Sequence, residues 1–371
     1  MTTPEVILEA ASPEVKRYQR LKITAMFLGT MIGLSWLTIV ALALGPAAGE
    51  WLTTHVGENR WLCLAGMAVF LGASFEVLNL PLDFWSGYIV EHRFHLSNQT
   101  LGAWIWRRVK GYMVGGALGL MMLSGLYALL WASGSLWWIW ATVGWLLVSL
   151  VLGQLLPVLI LPLFYKVTRL HDESLLQRFR DLTRGTTLNV EGVYRLELSK
   201  DTKKANAALA GLGNTRRVLL GDTLLDQFTP EEIEVVFAHE VGHHVHHHIV
   251  KMIALRVLTT LCGFWLVDAL LTNLATAVGY FHFTDPAALP LVLLVLTLFG
   301  LILSPALNAL SRFYERQCDR YALDRTGNPT AYRSAFIKLS RINKSNPDPH
   351  PVIAWLFFDH PPIRERLAMA E

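Results

Sequence analysis

Thr229-Pro-Glu-Glu-Ile-Glu-Val-Val-Phe-Ala-His-Glu-Val-Gly-His243 leads through His244, His246, His247 and His248 into an apolar run at 252 to 279. Thr229 suits an N-cap, Pro230 the first helical position and Glu232 the closing residue of a capping box, so a helix is expected from about 230 through the histidines. A capped, chemistry-bearing helix thus abuts a segment long enough to cross a bilayer, which takes about 20 residues. That junction predicts a polar functional unit built into a membrane protein.

Five more apolar runs, near 23 to 45, 61 to 80, 111 to 132, 137 to 164 and 288 to 310, bring the expected spans to six. Composition agrees: the 371 residues are 53% hydrophobic and 16% charged, with 13 Trp, whose rings favour the membrane-water boundary. A net charge of +3 without a compact basic run excludes nucleic acid as a partner. Cys63, Cys262 and Cys318 have no C-x-x-C spacing and imply no disulfide framework. The first apolar run is too long for the core of a cleavable signal and reads as a true span.

Basic residues cluster before the first span (Lys16, Arg17, Arg20, Lys22) and in the second connection (Arg93, Arg107, Arg108, Lys110), while the first, third and fifth connections are nearly free of them. The positive-inside rule then places both termini, the second connection and the segment 165 to 251 in the cytoplasm. With no C-terminal retention signal, the expected membrane is the bacterial inner membrane. Between the fourth and fifth spans, Ser174 to Thr183 suggests a helix, and alternation over Val193 to Leu198 and at Arg217 to Leu220 suggests strands. A turn at Gly211-Leu-Gly-Asn214 completes the expectation of a small two- or three-stranded sheet.

His239 and His243 are four residues apart, on one helical face, where they can share a cation. Zinc takes nitrogen ligands readily and leaves a position open for water and substrate, and Glu240 beside the pair is suited to deprotonating that water. Two histidines need a third ligand. Ser311-Arg-Phe-Tyr-Glu315-Arg-Gln-Cys-Asp319 follows the last span and puts Glu315 and Asp319 on one face, Glu315 to ligate and Asp319 to accept a hydrogen bond from a ligand histidine. Taken alone, the same segment also reads as an exposed salt-bridge face.

H-E-x-x-H, two hydrophobic spans and then S-R-x-x-E-x-x-x-D resembles the integral-membrane zinc proteases of the CAAX prenyl protease type I family. The resemblance extends to Leu82-Asp-Phe-Trp-Ser-Gly-Tyr88, Glu91-His-Arg-Phe-His-Leu-Ser-Asn-Gln-Thr100, Asn206-Ala207, Gly211 to Leu225, and His360-Pro-Pro-Ile-Arg-Glu-Arg366-Leu. It implies a mainly α, polytopic helical membrane bundle carrying a small α+β zincin-type (gluzincin) domain, divided as a membrane region at 1–165 and a peptidase domain at 166–371 that includes the last two spans. It also implies one zinc ion per chain, held by His239, His243 and Glu315, with Glu240 as the catalytic base and His360 steadying the tetrahedral intermediate. Arg366 then lies near the substrate path, and Asn206-Ala207 presents backbone to an extended peptide, a role open to any edge strand. Eukaryotic members have seven spans against six here. Expected partners are peptide or protein substrates, prenylated CAAX-type peptides or membrane proteins under quality control, together with membrane lipids.

Three features stay open at this level. His244 to His248 read as an accessory metal site, a zinc-delivering funnel, or interfacial residues near lipid phosphates. Glu76, Arg256 and Asp268 fall inside spans and either face a hydrated interior or snorkel from span ends. A zinc transporter or metal sensor is the rival function, but no histidine falls inside any of the six runs.

Overall fold

The computed structural model describes residues 12–186, 188, 192–211 and 217–371. Six helices long and apolar enough to cross a membrane occur among them: Pro13–Val56, Arg60–Arg93, Leu101–Ala132, Gly134–Phe164, His248–Ala277 and Pro286–Thr326. The first is bent by a π-turn at Val40–Leu44 into α1 (Pro13–Ile39) and α2 (Gly45–Val56), and α3 (Arg60–Phe84) passes through a similar turn into α4 (Val90–Arg93). Next come α5 (Leu101–Ala132), α6 (Trp137–Leu155) and α7 (Leu161–Phe164). The helices outrun the apolar stretches because capping side chains set their ends: Ser12 Oγ accepts from Val15 N, and Thr100 Oγ1 from Ala103 N.

The polar unit begins with β1 (Val167–Arg169), α8 (Glu173–Thr183), β2 (Gly192–Leu196), β3 (Ala207–Ala210), β4 (Arg217–Gly221) and α9 (Asp222–Leu225). It continues through α10 (Pro230–Val245), the long helices α11 (His248–Ala277) and α12 (Leu289–Thr326), then α13 (Pro329–Ile342), α14 (Pro351–Phe357) and α15 (Ile363–Ala368). Among the described residues the sheet has four strands in the order β1-β2-β4-β3, not two or three, with β2 and β4 parallel and the outer pairs antiparallel. β2 ends at Leu196 and not at Leu198, because the N–H groups of Leu198 and Ser199 turn to the Asp222 carboxylate at 2.8 and 3.0 Å. Of the expected turn, only Gly211 lies within the described residues, with φ 92°.

There are two main cores. One lies between the sheet, α8, α10 and α13, and includes Phe179, Val218, Leu220, Phe237 and Phe336. The other lies among the membrane helices and includes Met67, Tyr127, Trp137, Phe264 and Leu271, where lipid offers no hydrophobic drive and close packing must hold the helices together. Two of the charges within spans have partners: Asp268 Oδ1 accepts from Trp137 Nε1 at 2.7 Å, and Glu76 pairs with Arg108 at 2.9 Å.

Several contacts hold the polar unit to the membrane helices, among them the ion pairs Arg107–Asp201 and Glu14–Lys344. The loop after α4 meets the segment before β3 through a Ser97–Thr202 bridge and an Asn98 side chain that donates to Ser199 O at 2.7 Å. The buried Glu91 carboxylate gathers Tyr18, Lys22 and Lys204.

α10 forms as its sequence dictates, with the Thr229 and Glu232 capping box complete. Glu232 also receives Lys338 and Ser334 from α13. Burial alone would raise its pKa, but hydrogen bonds from Lys338, Ser334 and Thr229 N outweigh that and lower it from the ordinary 4.5. Its contribution to stability is therefore complete above about pH 4.5 and fades as pH falls through the lower folded value. Glu232→Gln should cost about 1–2 kcal/mol at pH 7. The thermal midpoint of the detergent-solubilised protein reads this, and the gap to the parent should narrow in acid; a pH-independent gap would mean that the cap, not the charge, carries the effect.

Candidate active site

α10 and α12 cross at Gly242. A Cβ at this position would lie 3.0 Å from Cys318 Cα, so only glycine lets the two backbones come this close. The approach brings Glu315 to both histidines: Oε2 lies 3.1 Å from His239 Nε2, and Oε1 lies 3.2 Å from His243 Nε2. Donors bound 2.0–2.2 Å from one tetrahedral zinc stand about 3.3 Å from each other.

Hydrogen bonding fixes which ring atoms are free. Asp319 Oδ1 lies 2.9 Å from His239 Nδ1, which keeps the ring proton there and leaves the Nε2 lone pair facing Glu315. Glu315 Oε2 is buried and receives no hydrogen bond among the described residues. Two acceptors thus face each other out of water, an arrangement stable only with a cation between them. Burial would lower the pKa of His239, but Asp319 and Glu315 outweigh it and push it up to about 9, so the cage attracts positive charge even when a proton must supply it. These residues fit a divalent metal ion.

A second grouping competes for the third ligand. Potential ligand atoms of His239, His243 and Cys318 lie within 4.8 Å of one another. Cys318 is fully buried under Gly242, with Sγ 3.5 Å from His248 Nδ1. Glu315 is the better third donor, because one carboxylate brackets both imidazole lone pairs and brings the negative charge a divalent ion needs.

Glu240, half-buried, accepts from Leu209 N at 3.3 Å and stands where two cavities meet. The polar one, about 370 Å³, is lined by Asn206, Ala207, His239, Glu240, His360 and Arg366 among others. The other, about 770 Å³ and mostly apolar, runs between α6 and α11 past Trp145, Leu150, Met252 and Arg256.

His360 reaches in from the loop before α15, with Nε2 3.5 Å from Glu315 Oε2. The Asp359 carboxylate 2.8 Å from its Nδ1 raises its pKa against the opposing effect of burial. Arg366 touches the polar cavity, yet its Nε donates to Asp319 Oδ2 at 2.9 Å and its guanidinium lies 3.9 Å from the Phe336 ring centroid. It therefore serves the Asp319–His239 pair directly.

β3 is an edge strand with its free side toward Glu240. Asn206 O is taken by Gly221 N at 2.9 Å, and antiparallel alternation then turns the main-chain groups of Ala207 and Leu209 outward. Asn206 lines the cavity with its carbonyl committed to Gly221, and Leu209 joins the outward main chain without having been singled out in the sequence.

Asn343, also missed, clamps the strand's approach: its amide accepts from Ala205 N at 2.9 Å and donates to Ala205 O at 3.1 Å. No local pattern reveals a contact across 138 residues. Asn343→Ala should raise KM for a peptide roughly tenfold, with kcat and metal content unchanged. An unchanged KM would show that the strand is held by its pairing with β4 alone.

Residues 169–371 match the model of peptidase family M48. The chain belongs to that family. Residues 5–166 match the family described as CAAX prenyl protease N-terminal, five membrane helices, and four of the six membrane-length helices of this M48 chain fall there. The chain is 30% identical to the uncharacterized metalloprotease YhfN of Bacillus subtilis, over 96% of its own length and 84% of the relative's. It is 28% identical to CAAX prenyl protease 1 of Saccharomyces cerevisiae, covering 82% and 71%. Against the human CAAX prenyl protease 1 homolog the identity is 27%, covering 81% and 72%. The crystal structure of S. mikatae Ste24p shares the fold, with a TM-score of 0.85 at 23% identity, over 99% of this chain and 89% of that one. This M48 protein is a membrane-embedded metalloprotease.

Proposed function

We propose that the protein is a zinc endopeptidase of the bacterial inner membrane that hydrolyses peptide bonds at the cytoplasmic face. The observation that carries this is the buried Glu315 carboxylate facing the Nε2 atoms of His239 and His243, with Glu240 beside an open edge strand. The division at 1–165 and 166–371 is part of the proposal, the first unit holding the second at the bilayer through Glu91 and the Ser97–Thr202 bridge.

His239, His243 and Glu315 hold the zinc. Bound there, zinc supplies Lewis acidity, polarising the scissile carbonyl and acidifying the attacking water. The outward main chain of Ala207 and the outward carbonyl of Leu209 pair with the substrate backbone and hold the scissile bond beside Glu240. Glu240 takes a proton from the attacking water as its oxygen bonds to the carbonyl carbon, then gives the proton to the amine as the C–N bond breaks. His360 donates from Nε2 to the developing oxyanion, its protonated form favoured by Asp359. Asp319 and Arg366 keep His239 in the ligating tautomer.

The substrate class is prenylated CAAX-type peptides or membrane proteins under quality control. The apolar cavity beside Glu240 supports either one, since it opens the site toward the membrane helices. Detergent-purified protein should carry one zinc per chain and cleave a quenched fluorescent peptide, and a farnesylated version cleaved much faster would select the prenyl class. Zinc without cleavage of any peptide, together with metal flux in sealed vesicles, would replace this reading with a transporter.

A further inference from the structure

α10 ends at Val245, and His247 sits at φ 55° in the left-handed region, a strained conformation for a non-glycine residue. A continuous helix would carry position 248 to another face than His243. The break at His247 instead turns it back, so that His248 is 2% exposed and its Nδ1 lies 3.3 Å from His243 Nδ1. Its ring stacks on Tyr314 at 4.2 Å, and its Nε2 lies 2.9 Å from Gln317 Oε1.

The proton positions follow outward from the metal site. His243 must present the Nε2 lone pair to a cation beside Glu315, so its proton is on Nδ1 and needs an acceptor. His248 Nδ1 is that acceptor, which puts the His248 proton on Nε2, where Gln317 offers its carbonyl oxygen. The Cys318 thiol lies 3.5 Å from the same Nδ1, whose single lone pair is already given to His243. Under this one assignment the ring protons of His243 and His248 each have an acceptor.

We infer that His248 and Gln317 are positioning residues for the metal site, a neutral relay that fixes the tautomer and ring orientation of His243 as Asp319 and Arg366 do for His239. The two ligands are thus backed differently: His239 by a charged pair, His243 by an uncharged imidazole and amide. The strain at His247 has a use, since it delivers His248 to this place.

The inference rests on zinc being the bound metal, and the test separates the two. Zinc release from the full-length protein in detergent is timed against a chelator, alongside thermal unfolding of the zinc-free protein. His248→Phe keeps a ring on Tyr314 but accepts no hydrogen bond, and Gln317→Leu removes the outer acceptor. Each should lose zinc about 10–100-fold faster than the parent, with little change in zinc-free unfolding. His248→Gln restores an acceptor and Gln317→Glu strengthens one, so each should release zinc more slowly than the variant at the same position. Parent-like release from both His248→Phe and Gln317→Leu would overturn the relay, as would equal loss in all four variants. A parent that holds no zinc would instead overturn the metal assignment.

Discussion

Glu240→Gln should lower kcat about 10²- to 10⁴-fold while leaving one zinc per chain, the range lost when a positioned general base is removed. The amide matches the carboxylate in shape and can still accept from Leu209 N, so the edge strand and cavity junction should survive. It has no basicity with which to take a proton from water. KM should therefore change little, which separates loss of chemistry from loss of binding. Cleavage at the parent rate, with zinc retained, would sink the assignment of the base.

Glu315→Gln should abolish both zinc retention and activity, whereas Cys318→Ala should spare both. Without the carboxylate charge, two neutral imidazoles and an amide oxygen face the cation, and affinity should fall beyond the 10–100-fold typical of losing a supporting hydrogen bond. Cys318 is the alternative third donor by distance, so the pair of variants decides between them. Zinc retained in Glu315→Gln and lost in Cys318→Ala would hand the ligand role to the thiol. Metal analysis of each protein after gel filtration in the presence of a weak chelator reads both.

The parts of the site legible in the sequence are those set by short-range geometry. The Thr229 cap, Pro230 and the four-residue spacing of His239 and His243 act within one helix, and that helix forms where expected. Glu315 and Asp319 were legible as a pair because they share a face of a helix leaving a span, although that the histidine beside Asp319 would be His239 was not. β3 carries no alternation: Ala207-Ala-Leu-Ala210 has the composition of almost any element, and it becomes a strand through pairing with β4. His248 was hidden differently. It was visible in a cluster with interfacial and metal-site readings, and only after the left-handed turn at His247 does the structure place His248 beside His243.

By itself the sequence determined six membrane-length apolar runs, a polar segment between the fourth and fifth of them, and a helix with two histidines four residues apart and a glutamate beside them. Those follow from hydrophobic length, charge distribution and helical period, which need no knowledge of distant residues. Tertiary structure alone placed Glu315 between the Nε2 atoms of His239 and His243, Asp319 beside His239, His248 beside His243, and Asn343 on the approach to the edge strand. Each of those turns on a few ångströms between helices whose crossing is set by packing at Gly242 against Cys318, and no local propensity fixes where two distant segments of a chain meet.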